Sequence, residues 1–418
     1  MMDDADFRSG ISVAGPLSII YHPSSIIHHP VSETSMRLCL STLLLLAACS
    51  GERAAPAVAF DTLPSGTVVV TSGQAGEWAD TNGWKLVLER TVQPPEGDSA
   101  AFGNPYDIVL RPDGSFLLRD GNDPTLTLYG SDGRLVRRFG RQGGGPGEFE
   151  RSYPAWLGDT LVVHDPGQSR ISLFALDGTL IRSFPGICCH EGPPIGVDSR
   201  GRIRVTGQRV SDSAFTNQWL YFTLDGRRID SMIPPEGGKQ KYWTVATNGG
   251  RSRYTVPFAG QNAHAFLPDG RIVYGITDKY ELLVTSTGRD TARIIRRSGV
   301  IGDPVPAGAL DSILGVWTKG NPGLAEVAHR SDVPSTRPLW SGVELDGQGN
   351  FWVQRGDYTG GSHRFDVFAP DGRFLGEVPA PFDHLWQSVW AGQRVAVLDE
   401  DEAGLPRVRV FRVETNKK

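Results

Sequence analysis

The chain has 418 residues, of which 39% are hydrophobic and 21% charged, with 51 glycines and 29 prolines. Its formal charge is -5, and four acids against two bases in the first 48 residues leave -3 for the remainder. That balance excludes a general nucleic-acid binder, which needs a basic footprint. Abundant Gly and Pro beside an ordinary apolar fraction point to many short strands and turns.

Residues 1–35 carry several His and Pro but no organised pattern, and are expected to be an artefact upstream of the true start at Met36 or a disordered leader. Met36-Arg37 opens residues 36–48, where Leu38 to Leu46 is an apolar run too short to span a bilayer and suited to a signal core. Leu46-Ala47-Ala48-Cys49 resembles the bacterial lipoprotein signal motif: small residues admit the peptidase and Cys49 supplies the thiol that takes the lipid. The resemblance implies an anchor that does not span the membrane and, with Ser50 next, sorting to the outer membrane of the cell envelope. An ordinary secretory signal with a chance Cys is the competing reading. Residues 49–65 read as a tether, and 66–415 as the folded domain. Val68 to Thr71 is a candidate strand with no assignable place.

Asn104 to Phe149 reads as one four-stranded antiparallel module. Its runs are Ile108 to Arg111, Phe116 to Asp120, Thr125 to Tyr129 and Leu135 to Phe139. They are separated by Pro112-Asp113-Gly114, Gly121 to Pro124 and Ser131-Asp132-Gly133. The third strand with its turn then recurs. Leu128-Tyr129 with Asp132-Gly133 is followed by Leu173-Phe174 with Asp177-Gly178, and Tyr221-Phe222 with Asp225-Gly226. Leu283-Val284 with Thr287-Gly288, Val367-Phe368 with Asp371-Gly372, and a last Val410-Phe411 complete the series. Four-strand repeats of roughly 40–50 residues are propeller blades. The expected fold is all-β: a six-bladed β-propeller of four-stranded antiparallel blades. The last blade lacks a fourth strand, and Lys85 to Val92 near the N-terminus supplies it, closing the ring.

Three segments lie outside the repeat. Cys188-Cys189-His190 follows blade two and admits three readings: a vicinal disulfide Cys188-Cys189, a soft-metal site, or plain thiols. A long insertion, about 299–338, follows blade four. There Ala309 to Leu314 is a candidate helical turn and Gly320-Asn321-Pro322-Gly323 its stop. A loop of that length is either functional or a covering flap. Asp399-Glu400-Asp401-Glu402 offers Asp399 and Asp401 as weak ligands for Ca²⁺ or another divalent metal, against the plainer reading of a solvated loop.

The sequence strand–PDG–strand–Asp, strand–DG–strand–GGGPGEF resembles NHL-type six-bladed β-propeller proteins over roughly Lys85 to Val413. Together with the signal motif it is similar to bacterial lipoproteins of that class. The resemblance implies ligand or protein binding at one face of the ring. Some relatives are hydrolases with a divalent metal in the channel, or lyases with His-bound zinc; neither ligand set maps onto residues here.

The repeat register puts Tyr106, Asp107, Tyr153, Asn262, His264, Trp340 and Trp386 at the channel mouth, where aromatic and polar groups either bind a ligand or fill the taper between blades. Asp120, Asp165 and Asp399 end the second strands and are expected to hold loop amides. His164 beside Asp165 is a poor catalytic pair, since neighbours on a strand face opposite ways. No nucleophile motif stands out. The first expectation is a monomeric, non-enzymatic envelope module that binds a protein, peptide or glycan and touches the membrane only through its lipid. The alternatives are a metal-dependent, lactonase- or esterase-like hydrolase and a structural part of an envelope complex.

Overall fold

The computed structural model describes residues 58–415 except 79–82, 96, 99, 188–194, 212–213, 248–249, 320, 357–362 and 383–387, with backbone alone described at 209–211, 214 and 215. Cys49 with its signal, Cys188-Cys189-His190 and Trp386 lie outside the described residues.

Three strands precede the first blade: β1 (Val58–Thr62), β2 (Val68–Ser72) and β3 (Trp84–Val92). Blade 1 comprises β4 (Pro105–Leu110), β5 (Phe116–Asp120), β6 (Leu126–Tyr129) and β7 (Leu135–Phe139). Blade 2 is β8 (Tyr153–Leu157), β9 (Thr160–Asp165), β10 (Arg170–Phe174) and β11 (Leu180–Pro185). Blade 3 is β12 (Gly196–Val197), β13 (Ile203–Ser211), β14 (Ala214–Phe222) and β15 (Arg228–Met232). A separate hairpin, β16 (Tyr242–Thr247) and β17 (Gly250–Thr255), leads to blade 4: β18 (Asn262–Phe266), β19 (Ile272–Ile276), β20 (Glu281–Thr285) and β21 (Arg293–Arg297). Helices α1 (Ala309–Trp317) and α2 (Pro322–Val327) precede blade 5: β22 (Trp340–Leu345), β23 (Phe351–Arg355), β24 (Arg364–Phe368) and β25 (Phe374–Pro379). Blade 6 is β26 (Ser388–Ala391), β27 (Arg394–Glu400) and β28 (Pro406–Thr415), completed by β3 in antiparallel register with β28. The ring is thus an all-β six-bladed propeller closed by an N-terminal strand.

The repeated apolar pair of each third strand has a geometric cause. In blades 1, 2, 3, 5 and 6 the register against the fourth strand slips at that pair, between Leu128 and Tyr129, Leu173 and Phe174, Tyr221 and Phe222, Val367 and Phe368, and Val410 and Phe411. Such a bulge strengthens the local twist that a blade needs. The Asp-Gly turn that follows demands a left-handed residue, and Gly133 has φ 81°.

Because side chains alternate along a strand, each blade feeds two interfaces. Phe116 and Leu118 pack with Ala396, Val408 and Val410 of blade 6, while Leu117 between them packs with Leu161 and Val163 of blade 2. Blades 2 and 3, 4 and 5, and 5 and 6 join in the same way. The joint between blades 3 and 4 is thinner, with Trp219, Met232 and Ile272 as its buried members.

Two expectations about the N-terminal segment are corrected. The tether assigned to 49–65 contains β1, and Val68–Ser72 has a definite place. Strand β2 pairs in parallel with β21 and antiparallel with β1, so blade 4 becomes a six-stranded sheet. The chain then follows the outer edge of blade 5, where the amides of Glu77 and Trp78 donate to Phe374 O and Leu375 O. Gly76 is needed there, since a Cβ would stand 2.5 Å from Leu375 O. After that the chain enters blade 6 as β3. One continuous belt therefore covers the outer edges of blades 4 and 5 and supplies that of blade 6. Short β11 and β15 and the arginines of β7 and β11 (Arg137, Arg138 and Arg182, all exposed) protect edges that the belt leaves open.

Candidate mouth of the propeller

The first strands β4, β8, β12, β18, β22 and β26 are innermost, and β4–β8, β8–β12, β18–β22, β22–β26 and β26–β4 touch. In an up-and-down blade, the start of the first strand, the second-to-third loop and the link from the preceding blade share one rim. Both insertions, the β16–β17 hairpin and the α1–α2 segment, are links between blades and therefore rise from this rim.

The insertions pack on each other as a cap. Trp243, Val245, Val256, Ala259 and Leu324 are buried together, with Leu314, Trp317 and Val327 against them. Trp243 Nε1 donates to Asp332 Oδ2 at 2.9 Å, and Asn321 Nδ2 to Tyr254 OH at 2.8 Å. The expected helical turn at 309–314 is a helix to Trp317, and Asn321-Pro322-Gly323 starts a second helix instead of stopping the first. Asn321 Oδ1 accepts from the Leu324 amide, and Pro322, whose missing N–H costs nothing at that position, follows the cap.

On the same rim, between blades 4 and 5, lies a cavity of about 160 Å³ lined by Gln261, Asn262, His264, Thr277, Trp340 and Ser341 among others. Three of the residues nominated from the sequence meet here. Asn262 is a hinge pin: its Oδ1 accepts from the Gly237 and Gly238 amides at 2.8 and 3.2 Å, and Nδ2 donates to Gly238 O at 3.0 Å. His264 donates from Nε2 to Pro235 O at 2.6 Å and meets the Trp219 ring edge-on. Burial first, and the Arg204 charge, hold its pKa below the ordinary imidazole value, so the ring is neutral. Trp340 is only 1% exposed and donates to Lys279 O at 2.8 Å; it walls the cavity from inside the core and offers no open ring face. Ser341 is a bulged residue, skipped in the register between Trp340 and Gly342. Its Oγ stands 3.5 Å from Gln354 Oε1 and makes no hydrogen bond with His264, so the pair is not an activated nucleophile.

A second group of nominated residues meets on blades 1 and 2. Tyr106 is also a bulged residue, skipped between Pro105 and Asp107, and is 63% exposed. The Arg119 guanidinium lies 4.3 Å over the Tyr106 ring and 4.8 Å over the Tyr153 ring. Asp107, its cross-strand partner, approaches Nε at 3.9 Å, beyond hydrogen-bonding reach. Burial pushes the Asp107 carboxyl up, against the pull of Arg119. Arg119 was not nominated from the sequence. Its signal was a charge in the otherwise apolar run Phe116-Leu117-Leu118. Bulges often re-aim side chains beside functional sites, and both first-strand bulges among the described residues fall at the mouth.

Other candidates resolve differently. Asp120 accepts from the Asn104 and Asn122 amides, and Asp165 from those of Glu150, Arg151 and Gln168, so both hold loops as expected. Asp399 departs from that pattern. It is paired with Arg407 at 2.8 Å and with Arg409. Asp401 Oδ1 accepts from the Ala403 and Leu405 amides at 2.9 Å, and its Oδ2 accepts from Gln93 at 2.8 Å, so this second nominated ligand is committed to its own turn. His164 is buried, bonds Ile187 O at 3.1 Å and is held neutral by burial, leaving Asp165 to the amides. Glu344, on inner strand β22, makes no hydrogen bond or ion pair among the described residues, and burial pushes its carboxyl up to about 7. Among the described residues no three or more His, Cys, Asp or Glu side chains converge as metal ligands.

Fold and rim together define a capped six-bladed β-propeller with a small polar cavity and an aromatic-flanked arginine at its mouth. No family model and no curated protein matches the chain. Among solved structures it is similar to a member of the duf4221 family from Bacteroides vulgatus, at 12% identity over 80% of this chain and 100% of that one, with a TM-score of 0.45. It is similar to a protein assumed to be exported from Bacteroides fragilis, at 11% identity over 84% and 100%, with a TM-score of 0.47. Virginiamycin B lyase from Staphylococcus aureus follows at 10% identity over 79% and 99%, with a TM-score of 0.39.

Proposed function

We propose that this protein is a lipid-anchored module of the cell envelope, of the NHL-type propeller class, that binds a protein, peptide or glycan at the capped mouth without transforming it. The observation that carries this reading is the cap. Two insertions of unlike structure, from separate links, pack together on the rim that also holds the cavity. A ring used only as a spacer has no need of that arrangement. Ser341 and His264 are each bonded elsewhere, so this pair does not support a serine-type hydrolase. The signal motif ending at Cys49 supports the anchor, and Ser50 after it supports outer-membrane sorting.

Filling the cavity tests the reading. Ser341→Trp places an indole in a space of about 160 Å³. The wild-type protein is expected to retain a defined envelope component that Ser341→Trp loses at unchanged melting temperature. Equal retention by both, or turnover of ester or lactone substrates that disappears in His264→Ala, would overturn it.

A further inference from the structure

We propose that Arg119 is the anchor of a carboxylate-binding subsite at the mouth, so that the ligand class is one bearing a free carboxylate; this rests on the binding reading above. An arginine has five N–H donors in a rigid fork, and burying them unpaired is costly. The Arg119 side chain is 12% exposed, its Nε is buried without a hydrogen-bond partner, and no hydrogen bond joins it to any described residue. A buried Nε without a partner recurs in the ring, at Arg297 for one, but Arg297 and Arg355 spend their other guanidinium N–H groups on protein acceptors. Arg297 bonds Asp366, Glu377 and Gln74 O, and Arg355 bonds Asp366 and Leu339 O. The two Nη nitrogens of Arg119 are not sealed in, and they form the fork that meets a planar carboxylate bidentately.

The surroundings preset that geometry. Tyr106 and Tyr153 hold the guanidinium from two ring faces, which restricts its rotamers before a ligand arrives. The bulge turns Tyr106 out over the guanidinium rather than into the blade. Asp107 approaches only the Nε side, at 3.9 Å, and leaves the Nη edge open. A ligand carboxylate bonded to that edge lies beside the exposed Tyr106 ring, which can cover the adjoining apolar or sugar carbons. A peptide C-terminus and a uronic acid both present that chemistry.

The test uses the full-length protein, with N-acetyl-tripeptides as free acid and as amide, and with glucuronate and glucose, followed by calorimetry or ligand-observed NMR. The acid form is expected to bind at least ~10-fold more tightly than its neutral counterpart, as for hydrogen bonds to a charged group. Arg119→Lys, which keeps the charge and loses the fork, should reduce binding by a similar factor. Tyr106→Ala, at an exposed position, should weaken binding at unchanged melting temperature. Binding of the peptide acid alone assigns a peptide terminus, and binding of glucuronate alone assigns a sugar acid; either supports the subsite. Equal binding of acid and neutral forms, equal competition by inorganic phosphate, or no binding of any carboxylate overturns it. Loss of carboxylate binding with intact, Ser341→Trp-sensitive retention would refute this subsite while leaving the mouth as a binding site.

Discussion

Asp366 on β24 is fully buried and accepts from Arg297 Nη1 at 2.6 Å, from Arg355 Nη1 at 3.2 Å and from the Tyr280 hydroxyl. These donors come from the end of blade 4 (Arg297 on β21, Tyr280 just before β20) and from β23 of blade 5, so one carboxylate fastens two blades at the rim. Arg297 reaches further, to Gln74 O of the belt at 2.8 Å and to Glu377 at 3.0 Å, and stacks on Phe374 at 3.8 Å. Asp366→Ala would strand two guanidiniums that are each 6% exposed, with only partly exposed Glu377 left to balance them. Breaking a buried ion cluster by removing one partner costs about 3–5 kcal/mol. Guanidinium-induced unfolding followed by tryptophan fluorescence should show that loss in midpoint at unchanged slope. Replacing the whole cluster, Asp366→Leu with Arg297→Met and Arg355→Leu, should recover most of it, because no buried charge then remains unpaired. A loss below about 1 kcal/mol for Asp366→Ala, the size of an ordinary substitution, would refute the clasp.

Other expectations follow from the same geometry. His164 and His264 have lowered pKa values in the fold, so their contribution is complete above the ordinary imidazole value near 6.5 and is lost as pH falls below it. His164→Gln with His264→Gln should flatten the acid side of the melting-temperature profile. Glu344 has the opposite sign. Its carboxyl is raised to about 7, so the stability it contributes is present near pH 4.5 and lost as pH rises through 7. Glu344→Gln should therefore change nothing at low pH and raise stability by about 1–3 kcal/mol at pH 8. Leu324→Ala, at a fully buried cap position, should cost about 2–5 kcal/mol locally and be read as lost hydrogen-exchange protection in β16–β17 and α2, with blades 1 and 2 unaffected. Cys49→Ser should move the protein from the membrane to the soluble fraction, and unchanged membrane retention would remove the lipid anchor from the account.

The ring was legible because propeller blades repeat their turn chemistry. Asp-Gly after an apolar pair marks the bulged third strand, and the missing fourth strand of the last blade pointed to Lys85–Val92. Elements outside the repeat were harder. Strand β1, Val-Ala-Phe-Asp-Thr, is mostly exposed on the edge of blade 4 and shows little apolar alternation. Strands β16 and β17 flank Asn248-Gly249, a hairpin signal set in a segment that is polar overall. Asn321-Pro322 reads as a stop, although Asn before Pro also opens helices. At the mouth, the repeat register placed Asn262, His264 and Trp340 together, and the packing between blades 4 and 5 makes Trp340 a filler of the taper. Arg119 stands on a second strand, outside the first-strand register, and its ring partners become visible only once Tyr106 is seen to bulge.

The capped mouth is the proposed place where this protein meets its ligand. The most direct measurement places a photo-cross-linking residue at Ser341 in the full-length protein in its own envelope, with the same probe at exposed Ile181 on the outer edge of blade 2 as the reference. The account expects one discrete adduct from Ser341 and none from Ile181. Equal adducts at both positions, or none at Ser341 with a discrete adduct at Ile181, would contradict it.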